Sequence, residues 1–293
     1  MLKIGVIGGG SLGLLLSSYF SQNHRVTLYV KRTEQRDKIK QKGITLRIND
    51  NEKNVRVNVT LIDELVDQNV IFVCVKQPHI DQVLPYLAKL SETSKIVFLQ
   101  NGMGHLNKIA PLRSEIYVGV VEHGAYRTAD DEVNHLGMGT IKIAPYENEA
   151  IDLAHLQANL QQDDFPIEFY DDWEPLLKTK LLINAVINPL TALFNVNNGV
   201  ILTNTHIKNL AEKLTNETAY VLGFDYDWAW NHVSRVAENT KENTSSMRAD
   251  ILNNRETEIE AISGYLLRII DEREIPFTYF IYEAILALQN RGK

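Results

Sequence analysis

Apolar residues in the first half of the chain come in short blocks separated by amphipathic stretches. Leu2 to Ile7 reads as a strand, and Ser11 to Gln22 has helical spacing with Leu12, Leu15, Leu16 and Tyr19 on one face. Arg25 to Val30 is a second strand, Thr33 to Lys42 a charged, solvent-facing helix, and Val55 to Leu61 a further candidate strand. Val70 to Val75 and Ile96 to Leu99 are apolar at every position or nearly so, as strands covered on both faces should be. Strands alternating with helices predict a parallel sheet with right-handed crossovers, an α/β fold. Ile116 to Ala125 and Thr140 to Ala144 continue the strands on either side of a polar stretch, Arg127 to Gly139, and Ile167 to Tyr170 is the last.

After Asp171 the texture changes. Trp173 to Asn195, Thr205 to Leu222, Trp228 to Asn239, Thr257 to Glu272 and Thr278 to Gln289 all carry helical periodicity, and strand-like alternation is missing. The spacing therefore predicts two domains, 1–170 and 171–293, the second all-helical, with no internal repeat and no low-complexity segment.

Composition narrows the function. The 293 residues are 44% hydrophobic, with a formal net charge of −7 and no basic run, which argues against nucleic-acid and membrane partners. No signal peptide is expected, because the first apolar stretch breaks at once into glycines, and no run reaches about 18 apolar residues. A cytoplasmic protein is expected. The one cysteine, Cys74, lies in an apolar block and reads as a small core residue. His79, His123 and His135 show no metal-ligand spacing, and His123 is expected to be structural. Trp228 and Trp230 are expected to pack the helical domain.

Gly8-Gly9-Gly10-Ser11-Leu12-Gly13 fits GxGxxG between a strand and a helix, the context that gives the pattern meaning. Gly8 allows a tight turn, Gly10 a close approach to a pyrophosphate, and Gly13 close helix–strand packing, while the helix start at Ser11 and Leu12 offers free N–H groups to the anion. The second strand ends in Lys31-Arg32, where NAD sites usually place a carboxylate. Two cations there suit the 2′-phosphate of NADPH, and which of them binds it stays open.

Lys180, Asn184 and Asn188 are spaced i, i+4, i+8 in an otherwise apolar helix. They form one narrow polar row, and leaving each such group unsatisfied in a buried place costs on the order of 1–3 kcal/mol. A ligand with matching oxygens removes that cost. Hydride reduction of a ketone creates charge on its oxygen, and a nearby lysine can stabilise that charge and donate the proton.

These segments, with Val75-Lys76-Gln77, Gln100-Asn-Gly-Met-Gly104, Lys180 to Ala192, Ser245 to Ile251 and Arg255 to Ile259, resemble the ketopantoate reductase (2-dehydropantoate 2-reductase) family over nearly the whole chain. The resemblance implies a Rossmann-type domain followed by a helical domain of the 6-phosphogluconate dehydrogenase C-terminal type, with the active site in a cleft between them. It implies NADPH-dependent reduction of 2-dehydropantoate (ketopantoate) to pantoate in pantothenate and coenzyme A biosynthesis. Lys180 is then the general acid, and Glu258 bonds the substrate hydroxyl and supports Lys180. Asn184 and Asn188 bind substrate, Ser246 holds its carboxylate, Asn101 approaches nicotinamide and substrate, and Lys76 lies near the cofactor. From the residues alone, Ser246 fits equally well as a helix N-cap and Glu258 as a surface glutamate. A reductase of another branched 2-keto acid and a non-catalytic NADPH-binding regulator remain open as alternatives. A homodimer is compatible with the apolar helix faces.

Overall fold

The computed structural model describes residues 1–146 and 153–291. Its strands are β1 (Lys3–Ile7), β2 (Arg25–Val30), β3 (Ile44–Ile48), β4 (Asn51–Val55), β5 (Asn58–Leu61), β6 (Val70–Val73), β7 (Lys95–Phe98), β8 (Glu115–Val121), β9 (Gly124–Ala129), β10 (Glu132–Gly137), β11 (Ile141–Pro145) and β12 (Ile167–Phe169). The chain divides into two compact units. One holds residues 1–100 and 106–176; the other holds Asn101–His105 and Leu177–Lys293. The division falls inside the first long helix of the second half, a little beyond the 170/171 border read from the texture change, and the turn after β7 groups with the helices.

In the first unit eight strands form one sheet in the order β12-β11-β8-β7-β6-β1-β2-β5. All neighbours are parallel except β11 and β8. β1 pairs with β2 on one side and β6 on the other, so the chain reverses its winding direction there, and ligands of such sheets bind at that carboxyl edge. Ile4, Val6, Leu28, Val30, Ile71 and Phe72 are all fully buried, which is why these strands read as continuous apolar blocks.

A second sheet, in the order β4-β3-β10-β9, is not foreseen by the hydrophobic pattern. The stretch expected to be one strand over Val55–Leu61 divides between the end of β4 and β5, and the polar stretch Arg127–Gly139 forms most of the β9–β10 hairpin. This sheet covers the outer face of α1 (Ser11–Phe20), whose inner face packs on β1 and β2. The helix is therefore buried on every side from Gly13 to Phe20, including Ser17 and Ser18, rather than along one face.

A buried relay fastens the two sheets. The Tyr19 hydroxyl lies 2.8 Å from His135 Nδ1, and His135 Nε2 lies 3.1 Å from His123 Nδ1. Phe165 stacks on both Tyr19 and His123. Burial pushes the Tyr19 phenol up to about 12 and lowers His135. Burial, and then the His135 charge, lowers His123 to about 4. The relay is neutral near pH 7, in keeping with the structural role expected for His123. Cys74 is half-buried just past the end of β6, and burial pushes its thiol up.

The other helices of the first unit are α2 (Thr33–Lys42), α3 (Ile80–Leu87), α4 (Leu106–Ile109) and α5 (Leu153–Leu160). The second half holds α6 (Trp173–Phe194), α7 (Val200–Thr203), α8 (Thr205–Leu222), α9 (Tyr226–Asn239), α10 (Ser246–Leu252), α11 (Ile259–Ile269) and α12 (Pro276–Gln289). Among the described residues, α6 alone is long and apolar enough to span a membrane, but 67% of its most apolar window is buried within the protein. Its apolarity reflects its place in the core. α12 begins against α8, where the buried Glu217 carboxylate accepts from Phe277 N at 2.9 Å and from Thr278 N and Oγ1 at 2.7 and 2.8 Å. Trp228, expected to pack the helical domain, is 38% exposed and lies on α9, tilted against Phe224 and stacked on His232.

Candidate active site

In the first unit the glycine loop joins β1 to α1. Gly8 has φ +107°, and a Cβ at Gly13 would lie 1.8 Å from the Gly8 carbonyl oxygen, so only glycine allows this turn and this helix contact. Above Gly10 the space is open: a Cβ there would meet nothing within 4 Å. Gly10 caps α1 through extended backbone and offers no side-chain acceptor to the first-turn N–H groups at Ser11, Leu12 and Gly13. An open cradle under uncapped N–H groups fits the pyrophosphate of a dinucleotide.

The loop is held from the far side by residues the sequence pattern did not single out. Gln35 Nε2 donates to the Gly9 carbonyl at 2.8 Å and to the Asp130 carbonyl at 2.8 Å. Arg127 Nη1 donates to the same Gly9 oxygen at 3.2 Å, and Arg127 N donates to Ser11 Oγ at 3.0 Å. The Ser11 hydroxyl oxygen thus accepts a bond from the β9–β10 hairpin, separate from the backbone N–H expected to face the cofactor.

Lys31 and Arg32, adjacent at the end of β2, engage different neighbours. Lys31 Nζ donates to Gln82 Oε1 on α3 at 3.1 Å. Arg32 pairs instead with the Asp130 carboxylate in the turn between β9 and β10, and the Arg32 guanidinium holds that carboxyl below its usual range. Lys76 follows β6 at the carboxyl edge of the sheet and starts the short turn Gln77–His79.

In the second unit, α6 carries Lys180, Asn184 and Asn188 in the expected row. Both asparagines are buried, and Lys180 is half-buried. Asn184 Nδ2 donates to Asn101 Oδ1 at 3.3 Å, and Asn101 Nδ2 donates to Glu258 Oε2 at 2.8 Å. Asn101 is therefore the link between the polar row and Glu258. It stands in the turn after β7, where Gly102 has φ +75° and a Cβ would lie 2.1 Å from the Ala261 carbonyl oxygen on α11. The missing side chain lets this turn sit against the helix that Glu258 precedes. The adjoining Thr257 is fixed as well, its N and Oγ1 each donating to Gln289 Oε1 at 2.8 Å.

Ser246 is the first residue of α10 and is exposed. The capping role that fitted it belongs to Ser245, whose buried Oγ accepts from Arg248 N at 3.1 Å and from Thr191 Oγ1 at 2.7 Å. Thr191 lies on α6 just beyond Asn188, so the start of α10 is fastened to the far end of the helix that bears the polar row. Neither Thr191 nor Ser245 was identifiable as such from the sequence. The structure thus joins Asn101, Asn184 and Glu258 directly and places Lys180 and Asn188 on the same helix. The glycine loop, Lys31, Arg32 and Lys76 belong to the first unit.

The fold is one that solved oxidoreductases share. A ternary structure of a D-mandelate dehydrogenase with NADH and anilino(oxo)acetate superposes with a TM-score of 0.90 over 99% of this chain and 98% of its own, at 22% identity. A 2-dehydropantoate 2-reductase structure, PanE from Bacillus subtilis, gives 0.89 over 98% and 100% at 38% identity. In sequence, the chain is 38% identical to the 2-dehydropantoate 2-reductase of Bacillus subtilis, over 99% of this chain and 98% of that protein. It is 31% identical to that of Yersinia pestis over 91% and 88%. Residues 4–148 match the family model for ketopantoate reductase PanE/ApbA, and residues 172–289 match the model for its C-terminal part. The chain belongs to the ketopantoate reductase PanE/ApbA family.

Proposed function

We propose that this protein reduces 2-dehydropantoate to pantoate with NADPH. The observation that carries the reading is the hydrogen-bonded set Asn184–Asn101–Glu258 beside the half-buried Lys180, in a chain aligned end to end with 2-dehydropantoate 2-reductases. The glycine loop suits a dinucleotide, and the cations that end β2 suit a 2′-phosphate in place of a ribose hydroxyl. Of these two, Lys31 is the better candidate, because its partner Gln82 is neutral whereas Arg32 already serves the charged Asp130. Lys76 then stands at the same edge of the sheet.

When bound, NADPH supplies a hydride to the ketone carbon. Lys180 donates a proton to the ketone oxygen as charge develops there, and its ammonium stabilises that charge beforehand. Glu258 accepts the bond of the substrate hydroxyl, and Asn101 fixes the carboxylate for that task by donating to its other side. Asn184 and Asn188 orient the keto acid, and Ser246, at the start of α10, takes its carboxylate. One hydride, carrying two electrons to the carbon, and one proton on the oxygen are consumed per ketone, which leaves the alcohol and NADP⁺. The test uses NADPH deuterated at the transferring position. Pantoate carrying one deuterium at the former ketone carbon supports the reaction, and no consumption of the keto acid refutes it.

A further inference from the structure

We propose that Asp130 is a cofactor-specificity residue. It holds Arg32 away from a bound 2′-phosphate, so that Lys31 alone sets the preference for NADPH. The inference rests on the NADPH reading above. Asp130 is separated from β2 by about a hundred residues of chain, yet the hairpin returns its carboxylate to the end of that strand. There it pairs with Arg32 and lies 3.3 Å from Arg127 Nη1. This is the place where a carboxylate favours a ribose hydroxyl and an arginine favours a phosphate. Sequence order shows two cations and no acid at the end of β2. The folded chain supplies the acid from elsewhere, and it neutralises one of them.

The position of Asp130 is well determined. Its carbonyl accepts from Gln35, which also holds the Gly9 carbonyl of the glycine loop. The next residue, Asp131, accepts from Lys38 on α2 at 2.6 Å, and its carbonyl accepts from Thr45 N at 2.8 Å. The turn is thus anchored to α2, to the glycine loop and to β3 through bonds that do not use the Asp130 carboxylate. Asp130→Asn keeps those bonds and removes only the charge, so the fold is expected to survive the change.

The consequence is a characteristic set of affinities, read by isothermal titration of the full-length protein with NADPH and with NADH. D130N frees Arg32 and removes a negative charge, and NADPH should bind about fivefold tighter while NADH changes little, the modest size reflecting an exposed pair. The gain should shrink as salt is raised. Arg32→Gln leaves Asp130 with Arg127 as its remaining ion-pair partner, exposes more of its negative charge, and should weaken NADPH more than NADH. Combining R32Q with D130N should return NADPH affinity to within about twofold of the unsubstituted protein, roughly the limit at which small charge effects are resolved.

A double variant as weak as R32Q alone would mean that Arg32 itself carries the phosphate, and would overturn the proposal. So would a D130N variant in which both nucleotides shift together or neither shifts. The unsubstituted protein and Lys31→Gln separate this from the cofactor reading beneath it. A preference for NADPH that K31Q abolishes upholds that reading whatever D130N does. An unsubstituted protein with no preference overturns both.

Discussion

The bond from Asn101 to Glu258 is the most testable feature of the substrate side. Asn101→Ala removes the donor 2.8 Å from the carboxylate and the acceptor 3.3 Å from Asn184. A hydrogen bond to a charged group is worth about 1.5–3 kcal/mol when deleted. Glu258 is half-buried, so the lower figure applies, and about 1.5 kcal/mol is roughly tenfold in kcat/KM. The two residues act through one bond, so their effects should not add. Measured on the keto acid, N101A and E258A should each lower kcat/KM, and the double variant should be about tenfold more active than the product of the two losses. Losses that multiply to within about 0.5 kcal/mol would refute the coupling. Asn101→Asp sharpens the test, because it sets a second carboxylate against Glu258. It should be worse than N101A near neutral pH and recover toward acid, where the pair holds a proton.

Other expectations follow from the same structure. Lys180→Ala should lower kcat by about 10²-fold or more while NADPH binding persists, and near-normal turnover would remove Lys180 from its role. His123 is lowered to about 4 by burial, so the unfolded chain takes up its proton first. Its stabilising contribution is complete above about 6.5 and is lost as pH falls from there toward 4. Denaturant midpoints should therefore decline between pH 7 and pH 5, and less steeply in His123→Asn; equal slopes would contradict this. Glu217→Ala strands the Phe277 and Thr278 amides at the start of α12 and should cost about 2–3 kcal/mol in denaturant unfolding. Glu217→Gln, which keeps an acceptor oxygen, should cost less, and an unchanged midpoint in the alanine variant would exclude the capping role.

What the sequence revealed depended on whether a feature was periodic. The α6 row was legible because three polar residues at helical spacing stand out in an apolar helix, and the glycine loop because its order is local. The β9–β10 hairpin was not, since an edge sheet with a wet face carries polar residues at positions that alternation cannot separate from a loop. With the hairpin went Arg127 and Asp130, whose importance arises only when the pairing of β10 with β3 and β9 brings their turn to α2 and the glycine loop. The full burial of α1 escaped notice for the same reason, because the covering sheet was unseen. Ser245 and Ser246 show the limit of local reading: adjacent serines fit a cap equally well, and only the Thr191 hydroxyl, 54 positions away in sequence, decides between them.

The central claim is that this protein is a reductase built for 2-dehydropantoate. Its most direct test is the initial rate of NADPH consumption by the unsubstituted protein on 2-dehydropantoate, beside 2-ketoisovalerate and pyruvate. A kcat/KM for 2-dehydropantoate at least about tenfold above both is predicted, since the substrate hydroxyl that Glu258 would engage is missing from the other two. Equal rates on all three, or none on 2-dehydropantoate while NADPH binds, would contradict it.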